Sequence, residues 1–243
     1  VESVELQYRY SLDNLNWSGW TSYSRSDSDY SWIFDVGRTG KNDGYYEFRS
    51  VSRDVAGNVE TVTSEADARC AVDTVEPVSS VDPLDYWQLN LPFEIRASAS
   101  DPVPPSGAVP SGLTNVELWY RHFWDNERWS EWTLFGADNE PLYSWSFDAP
   151  AGYGYYEVYT IARDVAGNVE NAPERADQSF CVVIPAEIDI DPDTLNLKSK
   201  GRWITCYIEL PPGYASENIS VSSIALEGGS LFEVLLPAEP WPT

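Results

Sequence analysis

The sequence predicts an all-β protein built from a duplicated β-sandwich unit, and three observations support this. Residues 4–11 alternate apolar and polar side chains, which is the period of a strand with one buried face. Aromatic residues make up 14% of the chain, and large flat side chains suit half-buried pleated surfaces. The 17 Pro and 15 Gly residues interrupt every long helical pattern, so long helices are not expected.

The duplication is visible by direct comparison of the chain with itself. Three blocks recur in the same order: 4–23 as 116–135, 30–35 as 143–148, and 44–60 as 154–170. Across these blocks 28 of 43 aligned positions are identical. Identity at this level indicates two copies of one folding unit.

Each copy reads as a series of strands and turns. The first block contains a strand and then a hairpin marked by Trp17-x-x-Trp20, which Trp129 and Trp132 repeat. The last block contains a strand that ends in the turn sequence 54–58, Asp-Val-Ala-Gly-Asn. Gly tolerates a positive φ there, and the Asp and Asn side chains bond nearby backbone. Pro-rich stretches at 73–77 and 101–105 predict a domain boundary and a long loop.

These motifs carry a resemblance to a known family. The run Gly-Tyr-Tyr-Glu, an alternating stretch and then Asp-Val-Ala-Gly-Asn-Val-Glu resembles the F strand, turn and G strand of bacterial and archaeal cell-surface proteins with tandem immunoglobulin-like (fibronectin-III-like) repeats. The resemblance covers roughly residues 1–182. It implies tandem immunoglobulin-like β-sandwiches and a location at the cell surface, but little about function, because such sandwiches serve many roles.

We therefore predict three domains. Residues 1–72 form an immunoglobulin-like repeat that lacks its first strands, 73–183 form a complete repeat, and 184–243 form a small β-domain that is expected to be incomplete. The first copy has no counterpart of the strand predicted at 91–99. We expect that the parent chain continues upstream, or that a strand from another molecule completes the first repeat by donor-strand addition. The absence of any Met favours a processed or excised piece of a longer protein.

The third segment has a different pattern. Residues 186–197 and 203–210 predict two strands joined at 198–201, similar to a small β-domain near the C-terminus of secreted archaeal and bacterial proteins. Three acidic residues alternate in the first of these strands: Asp189, Asp191 and Asp193. Carboxylates at this density suit Ca²⁺. The alternative is an acidic, solvent-facing strand edge.

The charge of the chain limits its partners. It has 39 acidic and 15 basic residues, which give a net charge of −24, so nucleic acid is not an expected partner. No apolar run is long enough to cross a bilayer. These features predict an extracellular, cell-surface protein, and the sequons at Asn16 and Asn218 are compatible with glycosylation.

The sequence contains no pattern that predicts an enzyme. Its only histidine, His122, takes an inward position in the alternating strand and is expected to be a packed or rim residue. The carboxylates of the repeated blocks, such as Asp54 and Glu60, lie in or beside a turn, which explains them better than acid–base catalysis. There is no Cys-x-x-Cys pair to ligate zinc. We predict a non-catalytic protein with no certain cofactor and Ca²⁺ as one option.

The three cysteines allow two disulfide states. Cys70 and Cys181 follow the last strand of their repeats at nearly equivalent places, so they are expected to lie far apart. A bridge between Cys181 and Cys206 would tie the third segment to its neighbour. Three free, buried thiols are the alternative.

The copies differ most on the outward face of two strands that we expect to be neighbours, as C and F are in immunoglobulin sandwiches. Where the first copy is mainly polar, the second has a predicted interaction patch: Trp119, Arg121, Phe123, Tyr159 and Ile161. Such a patch is typical of a protein interface. It is also compatible with a loop or the third segment folding over it, or with stacking on sugar rings.

These features favour a non-catalytic, extracellular structural or adhesive protein of a surface layer, filament or stalk. Its expected partners are other copies of itself or neighbouring surface proteins. The alternative is a carbohydrate-binding accessory module of a secreted hydrolase or adhesin, with polysaccharide as the partner.

Overall fold

A computed structural model describes residues 1–123, 128–183, 186–191, 205–210, 226–227 and 233–234. Within these ranges the chain is all-β, as predicted, and the helical structure consists of one 3-10 turn, Val36–Thr39. The strands of the described ranges are β1 (Ser3–Ser11), β2 (Thr21–Ser26), β3 (Gly44–Arg53), β4 (Ala68–Val72), β5 (Val78–Val81), β6 (Trp87–Gln88), β7 (Phe93–Ser100), β8 (Leu113–Phe123), β9 (Thr133–Asp138), β10 (Ser144–Phe147), β11 (Gly154–Asp164), β12 (Gln178–Val182), β13 (Glu187–Asp191), β14 (Thr205–Glu209), β15 (Leu226–Glu227) and β16 (Glu233–Val234).

The first repeat forms one four-stranded antiparallel sheet in the order β2-β1-β3-β4. One face of this sheet carries an aromatic cluster. The ring of Phe34 lies 5.4 Å from the rings of both Tyr8 and Tyr46 and 4.7 Å from that of Phe48, measured between centroids. Edge-to-face contacts of this kind add to the stabilisation from apolar burial.

The second repeat forms a sandwich of two sheets. One has the strand order β10-β7-β5, and the other has the order β6-β12-β11-β8-β9. β6 pairs with β12 in parallel, whereas the other ladders of the two sheets are antiparallel. This is the immunoglobulin-like arrangement expected from the sequence, with β8 and β11 in the positions of strands C and F.

The core of the sandwich lies between these two sheets. Phe147 and Phe180 are fully buried and pack edge to face, and the ring of Tyr156 stacks on Phe180 at 5.6 Å. The alternation of β8 and β11 places their apolar positions on this inner side. The largest fully buried aliphatic side chains that complete the core are Ile95, Val116, Leu118, Val158 and Val182.

The corresponding face of the first repeat is partly open. Val4, Leu6 and Phe48 align with fully buried residues of the second repeat, yet each is only half-buried. Cys70 stands where the second repeat has Phe180, and it is exposed. In the second repeat this face is covered by β5, β7 and β10. The described residues of the first repeat contain no counterpart of β5 and β7, and the segment 31–34, which aligns with β10, forms no strand but places Phe34 on this face.

Two carboxylates join the sheets of the sandwich at one edge. Asp177 Oδ2 accepts hydrogen bonds from the backbone nitrogens of Val81 on β5, at 3.0 Å, and Thr160 on β11, at 3.1 Å. Glu170 binds backbone donors of the same two strands. The side chains thus substitute for a backbone ladder between β5 and β11.

The segment between β4 and β5 is bound to both repeats. On the side of the first repeat, the backbone nitrogen and hydroxyl of Thr74 donate to Asp43 Oδ1 at 2.7 and 2.8 Å. On the side of the second repeat, Asp73 Oδ2 accepts from the backbone nitrogen of Ser111 at 2.6 Å, and the Asp73 carbonyl accepts from Asn168 Nδ2 at 3.1 Å. The junction is therefore held by specific hydrogen bonds on both sides.

Among its described residues, the third segment contains two antiparallel strand pairs. β13 pairs with β14 in antiparallel register, with Ile190 opposite Cys206, and β15 pairs with β16. β13 and β14 lie within the segments predicted as strands, 186–197 and 203–210, of which residues 192–197 and 203–204 lie outside the described residues. The predicted joining residues 198–201 lie outside the described residues.

Candidate functional site

The predicted patch lies on β8 and β11, which are adjacent antiparallel strands. Their register places Trp119 opposite Tyr159 and Phe123 opposite Tyr155. Because both strands alternate, the residues of the patch project from the side that faces away from the core. The structure thus brings together on one face Trp119, Arg121, Phe123, Tyr159 and Ile161.

Arg121 occupies the middle of this face, between two tryptophans. Its guanidinium carbon lies 4.9 Å from the ring centroid of Trp129 and 4.7 Å from that of Trp132. A flat cation over an aromatic face is attracted by the ring quadrupole. Arg121 also pairs with Glu157 on β11, where Arg121 Nε donates to Glu157 Oε2 at 2.7 Å. The guanidinium is therefore held on both sides and at one edge.

The aromatic contacts continue across the sheet. The ring of Tyr159 lies 4.3 Å from Trp132 in an edge-to-face contact and 6.4 Å from Trp119 in a stacked one. We call this series of side chains in successive contact the aromatic row: Trp129, Arg121, Trp132, Tyr159 and Trp119. Tyr159 is only 6% exposed within it, and burial raises the pKa of its phenol. Part of the face is thus covered by the Trp129–Trp132 segment of the same repeat.

A serine positions this tryptophan segment. The backbone nitrogen of Ser130 donates to the carbonyl of His122 at 2.9 Å, and the His122 nitrogen donates to Ser130 Oγ at 3.1 Å. Ser18 makes the same two bonds with Tyr10 in the first repeat. The spacing Trp-Ser-x-Trp is identical in both copies, and this was the available sequence signal that Trp129 and Trp132 belong to the site.

The first repeat also has an arginine between two tryptophans, but the residue that follows the second tryptophan is different. Arg9 lies over the rings of Trp17, at 5.2 Å, and Trp20, at 4.9 Å. There the next member is a second arginine, Arg49, 4.3 Å from the Trp20 centroid, and its Nε donates to Gln7 Oε1 at 2.8 Å. The arginine between two tryptophans is therefore a shared structural element, and the copies differ beyond it.

The difference leaves apolar surface on the second repeat. Trp119 replaces Gln7 and Leu134 replaces Ser22, and the two replacements are cross-strand neighbours. Leu134 is 47% exposed. We call Trp119, Phe123, Leu134 and Tyr155 the apolar rim; Trp119 and Phe123 are half-buried, and Tyr155 is 43% exposed.

The charges around the apolar rim are paired. Arg163 Nε lies 3.0 Å from Glu117 Oε1, and Glu117 Oε2 accepts from Trp119 Nε1 at 3.2 Å. Arg121 is paired with Glu157 as described above. The arginines thus fix the orientation of the rings and carry compensated charge.

His122 packs in the repeat as an inward, half-buried residue. Its ring lies 6.2 Å from that of Tyr156, and its Nδ1 is buried without a hydrogen-bond partner among the described residues.

The turn carboxylates bind backbone donors: Asp54 Oδ1 accepts from the backbone nitrogen of Asn58 at 2.8 Å, and Glu60 Oε2 accepts from that of Ser52 at 2.9 Å.

The remaining predicted sites are only partly within the described residues. Asp189 is exposed on β13, Asp191 ends that strand, and Asp193 lies outside the described residues, so calcium binding there stays a prediction. Asn16 is exposed, and its Nδ2 donates to Asp13 Oδ2 at 2.7 Å. Asn218 lies outside the described residues.

The cysteines are free thiols, and the predicted bridge between Cys181 and Cys206 is not formed in this structure. Cys181 is 8% exposed on β12, whereas Cys206 is exposed on β14. Cys70 and Cys181 lie within the last strands of their repeats, β4 and β12, and not after them as expected, and their nearly equivalent places differ by one residue. Cys70 lies opposite Tyr46, and Cys181 lies opposite Tyr155 instead of Tyr156, the counterpart of Tyr46. A shift of one residue moves a side chain to the other face of a strand.

Comparison with known proteins finds a likeness among solved structures. No protein-family model matches the chain, and no curated protein matches it. Among solved structures it is similar to a crystal structure of a tetra-tandem repeat in the extending region of a large adhesion protein. The match has 18% identity and a TM-score of 0.31, and it covers 79% of this chain and 45% of that chain. The chain thus spans less than half of that structure. In the part of the chain that the structure describes, no helix is long and apolar enough to be a membrane span.

Proposed function

We propose that this protein is a non-catalytic structural or adhesive component of a cell surface, in a surface layer, filament or stalk. In this proposal it acts outside the cell through contacts between subunits. The bulk properties are consistent with that role, because a net charge of −24 keeps an exposed protein soluble.

The observation that carries the proposal is the apolar rim. Both repeats contain an arginine between two tryptophans. The first repeat forms this arrangement although Gln7 and Ser22 stand where the second repeat has apolar residues. The second repeat has Trp119 and Leu134 at these positions without needing them for the stack. Apolar side chains clustered on one exposed face usually mark a contact surface, and aromatic residues are typical anchors of such contacts.

The junction between the repeats supports a load-bearing or spacing role. Hydrogen bonds from Thr74 to the first repeat and from Ser111 to Asp73 tie the connecting segment to both units. A connection of this kind limits relative motion of the repeats more than a flexible linker would. An extended surface protein needs such control of the spacing of its contact sites.

The test is self-association of the 243-residue chain, measured by sedimentation velocity over a wide range of concentrations. The variant Trp119→Gln/Leu134→Ser places the residues of the first repeat on the second. We expect the unmodified chain to associate and this variant to remain monomeric, because two of the four residues of the apolar rim become polar while Arg121 stays between Trp129 and Trp132. Val55→Ser is the matched control, since Val55 is 83% exposed in a turn outside the rim.

Two results would contradict the proposal. A chain that is monomeric at every concentration has no self-contact. A double variant that associates as strongly as the Val55→Ser control uses another surface.

The second candidate is a carbohydrate-binding accessory module. It is favoured by the half-buried ring of Trp119 and the 43% exposed ring of Tyr155, since exposed aromatic faces stack on the apolar faces of sugars. Affinity electrophoresis in gels that contain polysaccharides distinguishes the two. Retardation that is lost in Trp119→Gln, in a chain that does not self-associate, would favour the module.

A further inference from the structure

Three carboxylates from distant parts of the sequence meet where the repeats join. Asp73 belongs to the connecting segment, Asp101 follows β7, and Asp164 ends β11. One carboxylate oxygen of each lies within 4.8 Å of those of the other two. Asp164 is only 3% exposed. Like charges this close repel each other strongly in a site that is partly removed from water.

One oxygen of this cluster lacks any partner. Asp101 Oδ1 exposes less than 1 Å² and accepts no hydrogen bond from the described residues. The other oxygen, Oδ2, accepts from the backbone nitrogen of Gly112 at 2.6 Å. A buried carboxylate oxygen without a donor is unfavourable unless a cation or proton binds it.

Among the described residues, no basic side chain forms an ion pair with this cluster. In the described ranges every ion pair of an arginine is formed with a glutamate, and none reaches the three aspartates. The cluster therefore has an excess of negative charge and an unsatisfied oxygen. Both features are those of a cation site.

We propose that Asp73, Asp101 and Asp164 bind a calcium ion at the junction of the two repeats. Ca²⁺ prefers oxygen ligands at about 2.4 Å, so ligands on opposite sides of the ion are about 4.8 Å apart. The observed separation of the carboxylate oxygens fits within that limit. Three carboxylates leave several of the six to eight or so coordination positions of Ca²⁺ for water or carbonyl oxygens.

The ligands are already oriented by hydrogen bonds. Asp73 Oδ2 is held by the backbone nitrogen of Ser111 at 2.6 Å, and Asp164 Oδ1 by that of Gly167 at 2.7 Å. Partners of this kind position metal ligands and tune affinity. Because Asp73 lies in the connecting segment and Asp164 in the second repeat, the ion would fix the junction between them.

The first repeat supplies an internal control. Asp54 is the counterpart of Asp164, and its carboxylate makes the same bonds to Asn58. Among the described residues, however, only the cluster of Asp73, Asp101 and Asp164 brings three acidic ligands together. Asp54→Asn is thus a matched change in a turn that should not bind the ion.

The test is calcium titration of the full 243-residue chain, first stripped with EDTA, by isothermal titration calorimetry and by the thermal midpoint. We expect calcium to raise the midpoint, and Asp101→Asn to weaken binding at this site by about tenfold or more and to abolish most of the rise. In EDTA the same variant is expected to melt at or above the temperature of the unmodified chain, because one repelling charge is removed. Asp54→Asn should bind as the unmodified chain does.

Other outcomes overturn the proposal. Calcium that leaves the midpoint unchanged at millimolar concentration, or that binds Asp101→Asn with unaltered affinity, excludes the site. If Asp101→Asn lowers the midpoint equally in EDTA and in calcium, Asp101 is only a structural acceptor. A binding event lost in Asp189→Asn and retained in Asp101→Asn belongs to the third segment.

Discussion

Glu170 Oε1 accepts a hydrogen bond from the backbone nitrogen of Ser79 at 2.8 Å, across 91 residues of sequence. Its other oxygen accepts from the nitrogen of Ala162 at 2.9 Å. One carboxylate therefore links β5 to β11 and closes one edge of the sandwich. In the first repeat the carboxylate of the counterpart, Glu60, accepts from the nitrogen and hydroxyl of Ser52, both on its own sheet.

We expect Glu170→Ala to destabilise the second repeat by about 2 to 4 kcal/mol, because it leaves two backbone donors without acceptors. Glu60→Ala should have a clearly smaller effect, because its donors are exposed to water. Urea denaturation followed by tryptophan fluorescence compares the two variants. Equal losses of stability would show that the contact with Ser79 does not hold the sheets together.

The stack around Arg121 gives a second prediction. Arg121→Lys keeps the charge but loses the flat surface between Trp129 and Trp132, so we expect a loss of about 1 to 2 kcal/mol and a red shift of tryptophan emission. The control is Arg96→Lys, whose ion pair with Glu94 is exposed and should matter little. Unchanged emission in Arg121→Lys would mean that the tryptophans keep their positions without the guanidinium.

The sequence predicted faces of strands better than contacts between distant segments. The period of two fixes which side Val116 and Leu118 occupy, and both are buried in the core. The same period placed Trp119 and Tyr159 on one outward face, where they stack. Duplication made these assignments firm, because each position was seen twice in the same pattern.

What sequence reasoning missed depends on long-range packing. The Asp in the turn at 164–168 repeats an identical turn at 54–58, so nothing local distinguishes Asp164 from Asp54. Only the fold brings Asp73 and Asp101 beside it. A loop that covers the patch was one of the alternatives, but the sequence did not identify the Trp129–Trp132 segment as the cover over Arg121, since the path of that segment is not a local property.

The buried tyrosine of the first repeat gives a prediction at alkaline pH. Tyr46 is fully buried and donates to the carbonyl of Asn42 at 2.7 Å, and burial raises its pKa to about 12. Since an unfolded tyrosine has a pKa of about 10, the stabilisation from this group is present below about pH 10 and is lost as the pH rises towards 12.

Thermal midpoints measured across this alkaline range test that sign. We expect Tyr46→Phe to melt lower than the unmodified chain near neutral pH but to lose less stability between about pH 10 and 12. Tyr30→Phe is the control, because Tyr30 is 40% exposed and should leave the slope unchanged. A Tyr46→Phe variant with the slope of the unmodified chain would assign the alkaline transition to other groups.

The thiols report on the partly open sheet face of the first repeat. Cys70 and Cys206 are exposed and Cys181 is buried, so we expect alkylation of the native chain to modify the first two well before the third. Although Cys70 is exposed, partial desolvation of its thiol raises the pKa of Cys70, and its rate of alkylation should therefore still increase with pH beyond the range of an ordinary thiol. Peptide mapping by mass spectrometry measures each site separately. Protection of Cys70 alone would indicate that another strand covers that face, whereas protection of Cys181 and Cys206 that ends on reduction would restore the predicted bridge.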